Sequence, residues 1–316
     1  MNDGRPVLSF AGRVVVVTGA GRGLGRACAE LLVERGATVV VNDTGVAPTG
    51  DPASPGLAAS VAAAIAGAGA GSAWGSAHDT AGPDGAAALV AEVRERHGRL
   101  DAVVANAGVS WPAPLAEVTP AEVERSFAVN ACSPLWLAQA AWPMLADAGH
   151  GRVVTVASAG VLGYPGRVHY VMAKAAVLGL TRSLALEGRR LGIGVNCVLP
   201  WARTRLAGER GETDPWMAAH LDPRDTAAAL VWLAHPDCAT TGEAFAVEGR
   251  RVARIALGVG PGVVVDGPGG PEAVAAAWEP ARRFDGAVAP RSTGAYVNDI
   301  VRPALDAAAA VPGDDR

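Results

Sequence analysis

The two residues with the clearest chemical use are Tyr170 and Lys174. Lys174 is the only lysine in the chain, and every other basic residue among its 27 Lys and Arg is arginine. A composition rich in Ala, Gly and Arg favours arginine wherever any cation serves. A retained lysine therefore marks a place where a compact ammonium on a flexible stem suits the chemistry and a planar fork does not. Tyr170 is one of three tyrosines and stands four positions earlier, on the same face of any helix that carries both. An ammonium below a phenol favours phenolate. A tyrosine ordinarily titrates near pH 10, whereas a general acid or base works best with a pKa near the operating pH. The plainer reading of Y-x-x-x-K is two incidental residues on a half-buried helix, so the pair alone does not decide.

A second chemistry is suggested by Gly19-Ala20-Gly21-Arg22-Gly23-Leu24-Gly25. Val14 to Val17 before it is a β-branched run of the kind buried on both faces of a parallel sheet. Ala27, Leu31 and Leu32 after it have helical spacing. Glycines between a strand and a helix let the chain turn tightly and let a pyrophosphate approach backbone N–H groups at the positive helix end; a purely structural turn is the plainer alternative. A second strand, Thr38 to Asn42, ends at Asp43, 18 residues past Gly25. A carboxylate there accepts hydrogen bonds from ribose hydroxyls and repels a 2′-phosphate, which favours NAD over NADP. Arg22 pulls the other way, as a guanidinium that could greet that phosphate. Asp43 carries more weight, because an unpaired carboxylate beside a phosphate is costly.

Composition narrows the rest. The chain has 316 residues, half of them hydrophobic, enough for one large α/β domain with additions or for two small domains. A net charge of −4 gives no reason to expect nucleic acid or an anionic membrane as partner. No apolar run is long enough to span a bilayer, and Met1 to Ser9 lacks the pattern of a secretion signal. Cys28, Cys132, Cys197 and Cys238 show neither metal-ligand spacing nor a CxxC pair. Buried free thiols, no metal site and a reducing, cytoplasmic setting are expected.

The elements that must position these residues alternate along the chain. Thr44 to Gly56 reads as a surface insertion, Leu57 to Ala70 as an Ala-rich helix, and Ala73 to Ala77 as a weak third strand ending at His78-Asp79. Asp79 is placed either to cap the next helix or to touch adenine. Gly85 to His97 is helical, and Leu100 to Ala105 is a fourth strand leading into Asn106-Ala107-Gly108. Thr119 to Leu145 is helical, with Thr119-Pro120-Ala121-Glu122 as its start. Asn130, a mediocre helix former, sits in its middle, where it is either a tolerated surface residue or the holder of a water at a bent turn. Arg152 to Val156 is a fifth strand ending at Ala157-Ser158, Val168 to Arg190 a helix, and Ile193 to Leu199 a sixth strand. Pro200 to His220 reads as a mobile flap over a pocket, with a buried helix pair as the alternative. A helix from Asp222-Pro223 to Ala234 and a last strand, Phe245 to Val247, follow. Beyond a Gly/Pro-rich stretch, Gly258 to Pro271, lie short helices at Pro271 to Trp278 and Ala295 to Ala310. The expected organisation is a dinucleotide-binding domain over 1–250 and a helical extension over 251–316.

This alternation implies a doubly wound parallel sheet (a Rossmann fold) with helices on both faces and ligands outside the carboxyl ends of its strands. The glycine turn, Asp43, Asn106, Ser158 and Pro200 all fall just after strands, on that one edge. The chain resembles the short-chain dehydrogenase/reductase family through Thr18-Gly19-x-x-x-Gly23-x-Gly25, Asn106-Ala107-Gly108, Asn130, Ser158 and Tyr170-x-x-x-Lys174. A closer resemblance, to the (3R)-hydroxyacyl-CoA dehydrogenase part of multifunctional enzyme type 2, lies in Val41-Asn42-Asp43, in Ser183 to Arg189 and in Pro271-Glu272-Ala273-Val274 with Trp278.

The resemblance implies hydride transfer between NAD and a secondary alcohol or ketone. Tyr170 would exchange the proton with the substrate oxygen, and Lys174 would lower its pKa and hold the nicotinamide ribose. Ser158 would hydrogen-bond the substrate oxygen, Asn130 would anchor a relay water, and Pro200 and Thr204 would border the nicotinamide. Gly19, Arg22, Gly23, Leu24, Gly25, Asp43, Asp79, Asn106 and Gly108 complete the expected cofactor site. Family members usually assemble as dimers or tetramers, and the apolar helix Leu135 to Leu145 is a candidate interface.

Two departures bear on the substrate. The family serine usually stands thirteen positions before the tyrosine; here that position is Ala157, and Ser158 stands twelve before. Placing the deletion in the loop Ala159 to Arg167 restores Ser158, because loops absorb deletions and strands do not. Trp201 occupies a position usually held by a small residue. Leu162 and Tyr164 in the shortened loop, with Trp201 and Trp216, are the expected substrate-pocket residues. The readings are a (3R)-hydroxyacyl thioester dehydrogenase, with Arg203, Arg205 and Arg210 at the pocket mouth; an oxidoreductase for a bulky specialised-metabolite ketone or alcohol; and a catalytically silent NAD-binding partner.

Overall fold

The computed structural model describes residues 8–46, 54–204, 214–265 and 270–309. Arg205 and Arg210, most of the insertion after Thr44 and the middle of the flap lie outside the described residues.

Eight strands form one sheet in the order β3-β2-β1-β4-β5-β6-β7-β8. They are β1 Val14–Thr18, β2 Thr38–Asn42, β3 Ser72–Ser76, β4 Ala102–Ala105, β5 Arg152–Val156, β6 Gly194–Trp201, β7 Ala244–Glu248 and β8 Arg251–Ile255. β1 through β7 pair in parallel. β1, β4 and β5 are buried along their whole length, and accordingly β1 and β4 read as near-continuous apolar runs rather than alternating ones. β8 follows β7 after only Gly249 and Arg250, a connection that permits only an antiparallel partner.

Helices cover both faces: α1 Gly23–Glu34, α2 Leu57–Ile65, α3 Pro83–His97, α4 Pro120–Phe127, α5 Ser133–Asp147 and α6 Val168–Gly188. One apolar layer gathers Leu24, Leu31, Leu32, Val61, Leu230 and the β-strand residues Val15, Val17, Val39 and Val41. The opposite layer gathers Leu89, Val93, Leu137, Leu145 and Val16, Val40, Val103 and Val153. α2 stops at Ile65, short of the expected Ala70, because Gly67 takes a φ of +84° that a helix cannot hold.

α4 begins with the expected capping box: Thr119 Oγ1 accepts from the Glu122 N–H at 3.3 Å and Glu122 Oε2 accepts from the Thr119 N–H at 2.9 Å. Between α4 and α5 the helix opens into a π turn, Ala128–Cys132, with Asn130 inside it. The bend expected at Asn130 is therefore present, and Asn130 is fully buried rather than on the surface.

The flap expectation needs correction at both ends. Pro200 and Trp201 belong to β6, paired with Val247 and Glu248, and Pro215–His220 is a helix whose first turn is capped by Asp214. The described residues form two compact units, divided between Arg254 and Ile255. The second contains the short helices Pro271–Ala276, Trp278–Ala281, Thr293–Tyr296 and Arg302–Ala309, with a π turn at Val297–Val301.

Candidate active site

The chain reverses direction in the sheet between β1 and β4: β2 and β3 lie on one side of β1, and β4 onward on the other. Such a switch point leaves a crevice beyond the strand ends. There the structure has a cleft of about 1070 Å³, lined among others by Gly19, Arg22, Gly23, Asp43, Asp79, Asn106, Gly108, Ser158, Tyr170, Lys174 and Pro200.

Close packing holds the glycine-turn end of the cleft. Gly19 has φ +61°, and a Cβ there would stand 2.8 Å from Ala107 Cα. At Gly25 a Cβ would reach 2.3 Å from the Gly19 carbonyl oxygen, so only glycine lets α1 start this close to β1. Asp43 Oδ2 accepts from the Gly21 N–H at 2.9 Å, and its Oδ1 accepts from the Gly45 N–H at 2.7 Å. The carboxylate thus braces the glycine turn while lining the cleft. Arg22 also lines the cleft and donates to Ser54 Oγ. Asp79 Oδ1 accepts from the Ala81 N–H at 3.0 Å, and Leu24 and Thr204 complete this part of the wall.

Asn106 works as a brace. Its Nδ2 donates to the carbonyls of Thr18 at 2.9 Å and Gly19 at 3.2 Å, while Thr18 Oγ1 accepts from the N–H groups of Asn106 and Ala107 at 3.1 Å each. The ends of β1 and β4 are locked together by these four bonds. Glycine spacing, helix N-terminus, carboxylate and a cleft of this volume together fit a dinucleotide.

At the other end, α6 carries Tyr170 and Lys174 into the cleft. Lys174 is buried; its Nζ donates to the Val156 carbonyl at 2.8 Å and lies 6.0 Å from the centre of the Tyr170 ring. Burial lowers its pKa from 10.5 to about 8. Tyr170 is also buried, and burial raises its pKa; the Ser158 hydroxyl and the charge of Arg167 pull it down. The ammonium expected to favour phenolate is therefore opposed by desolvation, the larger effect on both groups. Ser158 caps the 3₁₀ turn Ala159–Leu162, accepting from the Gly160 N–H at 3.0 Å. Ala157 and Ser158 both line the cleft, and of the two only Ser158 carries a hydroxyl toward the substrate side.

Asn130 spends its side chain on the backbone of Val109, accepting from its N–H at 3.2 Å and donating to its carbonyl at 2.9 Å, with a further bond to Ser126 Oγ at 3.2 Å. A Cβ on Gly108 would stand 2.9 Å from Asn130 Oδ1 and 3.5 Å from Lys174 Nζ, so both residues approach Gly108.

Of the four residues expected at a substrate pocket, two line the cleft. Tyr164 and Trp201 line the cleft, but Leu162 and Trp216 do not. Leu162 ends the 3₁₀ turn facing solvent, 77% exposed, because so short a turn packs only one side. Trp216 instead stacks on His220 with ring centres 4.8 Å apart and meets Trp201 at 5.7 Å. Ser110 was not foreseen: it lines the cleft and accepts from Arg167 Nη1 at 2.6 Å. No spacing in the sequence signals that pair, since its members come from separate segments. Ser126, by contrast, stands one helical turn before Asn130, a spacing that could have found it.

The comparisons with known proteins agree with this geometry. The short chain dehydrogenase family model matches residues 13–214. The chain is 34% identical over 276 residues to Rv0148, a short-chain type dehydrogenase/reductase of Mycobacterium tuberculosis, covering 87% of this chain and 96% of that protein. It is 33% identical over 298 residues to peroxisomal multifunctional enzyme type 2 of Mus musculus, covering 93% of this chain but only 40% of that longer enzyme. A crystal structure of a short chain dehydrogenase from Mycobacterium avium superposes with a TM-score of 0.74 at 34% identity, covering 86% of this chain and 96% of that one. A match across the strands, the glycine turn and the Tyr170–Lys174 helix means that the chain belongs to the short-chain dehydrogenase family, oxidoreductases that act on an alcohol or ketone with NAD(P).

Proposed function

We propose that this chain is an NAD-dependent dehydrogenase of secondary alcohols whose substrate is a (3R)-hydroxyacyl thioester. One observation carries the catalytic part: Ser158, Tyr170 and Lys174 converge at one end of the cleft whose other end is the glycine turn and Asp43. When bound, the nicotinamide supplies the hydride acceptor. Tyr170 takes the hydroxyl proton when the alcohol is oxidised and returns it when the ketone is reduced. Ser158 holds the substrate oxygen beside the phenol. Lys174 holds the nicotinamide ribose and, tied to Val156, fixes the height of its ammonium below the ring. Asn130, beside Lys174 at Gly108, anchors the water through which the proton leaves.

Asp43 supports NAD over NADP, because it is fixed at the turn with both oxygens hydrogen-bonded and would meet a 2′-phosphate with like charge. The thioester rests on the similarity to multifunctional enzyme type 2, which extends through the C-terminal segment, and on Arg203 in the cleft wall. Assembly as a dimer or tetramer through α5 belongs to the same reading, and light scattering tests it.

A second reading, a bulky ketone or alcohol as substrate, draws on Trp201 in the cleft wall with Trp216 against its ring. A panel of (3R)-hydroxybutyryl- and longer hydroxyacyl-CoA thioesters with NAD, followed by NADH absorbance, separates the two. Turnover of the thioesters supports the first. Turnover confined to bulky polycyclic ketones or alcohols supports the second. NAD binding with no turnover of either class leaves a silent cofactor-binding protein.

A further inference from the structure

We propose that Ser126 is a positioning residue for the reaction: its hydroxyl ties Asn130, in the π turn, to the peptide that leads into Tyr170 on α6. The proposal rests on the reading of Tyr170 as the proton-exchanging group and of Asn130 as the anchor of the relay water.

Ser126 stands in the last turn of α4 and is fully buried. A serine hydroxyl inside a helix can bond back to the carbonyl four residues earlier. This one reaches out of its helix instead. Its Oγ donates to the His169 carbonyl at 3.2 Å and accepts from Asn130 Nδ2 at 3.2 Å. The His169 carbonyl and the Tyr170 nitrogen belong to one peptide, so the first bond ends where the chain enters Tyr170. Ser126 does not itself line the cleft; it acts through the two residues it joins.

The direction of the bonds follows from what each group can offer. A carbonyl only accepts, so Ser126 spends its single proton on His169. Its oxygen is then the acceptor for Asn130, whose side-chain nitrogen has two protons to place. The second goes to the Val109 carbonyl at 2.9 Å, and Oδ1 accepts from the Val109 N–H at 3.2 Å. Both amide protons are thereby used, and Oδ1 keeps a lone pair. That oxygen and the Lys174 ammonium approach one point beside Gly108, 2.9 and 3.5 Å from where a Cβ would stand. Val109 decides which end of the amide is oxygen. Ser126 decides how far that oxygen stands from α6, the helix that carries both Tyr170 and Lys174.

Ser126→Ala removes both bonds and little volume. With saturating NAD and a substrate from the panel that turns over, kcat is expected to fall about tenfold, short of the hundredfold that a misplacement of about 1 Å can cost. Affinity for NAD should not change. The solvent deuterium isotope effect on kcat should rise as proton delivery becomes slower, whereas a loss of folded protein alone would scale the rate and leave that ratio as it was. Ser126→Thr, which restores a hydroxyl, should return most of the rate. Ser126→Cys, a weak donor, should give a smaller fall and serves if Ser126→Ala does not fold. The tie is also read without substrate. In protein carrying ¹⁵N-labelled tyrosine, with Tyr170→Phe as the assignment, the Tyr170 amide resonance should move in the same variant while that of Tyr296 stays put. An unchanged kcat, a fall in kcat with the isotope effect unaltered, or an unmoved Tyr170 resonance overturns the proposal. A substrate panel that fails with the wild type, beside a Tyr170 resonance that moves, counts instead against the assigned reaction, so the two failures are distinguishable.

Discussion

Lys174 Nζ lies 6.0 Å from the centre of the Tyr170 ring while donating at 2.8 Å to the carbonyl of Val156, at the end of β5. The strand therefore sets where the ammonium stands, and α6 sets where the phenol stands. Neither group depends on a mobile loop for its position.

Tyr170→Phe should abolish turnover, with a fall in kcat/KM of at least about a hundredfold, the low end of what a positioned acid/base contributes. The ring packing survives, so NAD affinity, read by titration calorimetry, should stay within about threefold of wild type. A tenfold loss of affinity with turnover retained would assign the phenol to cofactor binding alone.

Lys174→Met should gain stability as it loses activity. In the unfolded chain the lysine keeps its proton up to about pH 10.5, but in the folded chain only up to about 8. The unfolded chain binds more protons across that window, so wild-type stability rises with pH between those values. Below pH 8 the buried charge costs on the order of 3 kcal/mol. Removing the donor to Val156 costs about 1–2 kcal/mol in return. Thermal melts without cofactor should show the variant above wild type at pH 7, with the margin shrinking toward pH 10.

Asp43→Ser should exchange cofactor preference. The substitution removes the charge that disfavours a 2′-phosphate and leaves Arg22 in the turn. NAD binding should weaken about tenfold or more, consistent with losing hydrogen bonds to a charged group at roughly 1.5–3 kcal/mol, while NADP binding improves. Fluorescence titration with NADH and NADPH gives both numbers.

Asn130→Asp should be more damaging than its size suggests. Nδ2 donates to the Val109 carbonyl and to Ser126 Oγ; a carboxylate would turn an acceptor toward the carbonyl in a fully buried place. The expected loss is about 3 kcal/mol, visible as a lower denaturant midpoint, with Asn130→Ala intermediate.

Much of this was legible in the chain, for physical reasons that differ from residue to residue. Val14 to Val17 followed by glycines admits few conformations, so the strand, the turn and the start of α1 could be read directly. Asn130 was readable because asparagine is out of place in a helix interior, and the π turn is where the backbone accommodates it. β8 was missed: Arg251-Val252-Ala253-Arg254-Ile255 is largely exposed on both faces, leaving no alternation to detect. Leu162 faces solvent outside the cleft lining, and an apolar residue in a loop beside a pocket says nothing about which way it faces. The bond between Ser110 and Arg167 joins positions that only the folded chain brings together.

The π turn at Ala128–Cys132 gears the two ends of the cleft to each other. Asn130 inside it grips Val109 at the reactive end, and Ser133 just after it bonds Thr80 at 2.7 Å, next to Asp79 at the cofactor end. Deleting one residue from the turn would close the helix into regular α geometry with α5 still in phase, so the widened backbone that seats Asn130 would be lost. Ser133 would stay on Thr80 while Asn130 lost its hold on Val109. One widened turn thus lets a single helical run hold both Val109 and Thr80.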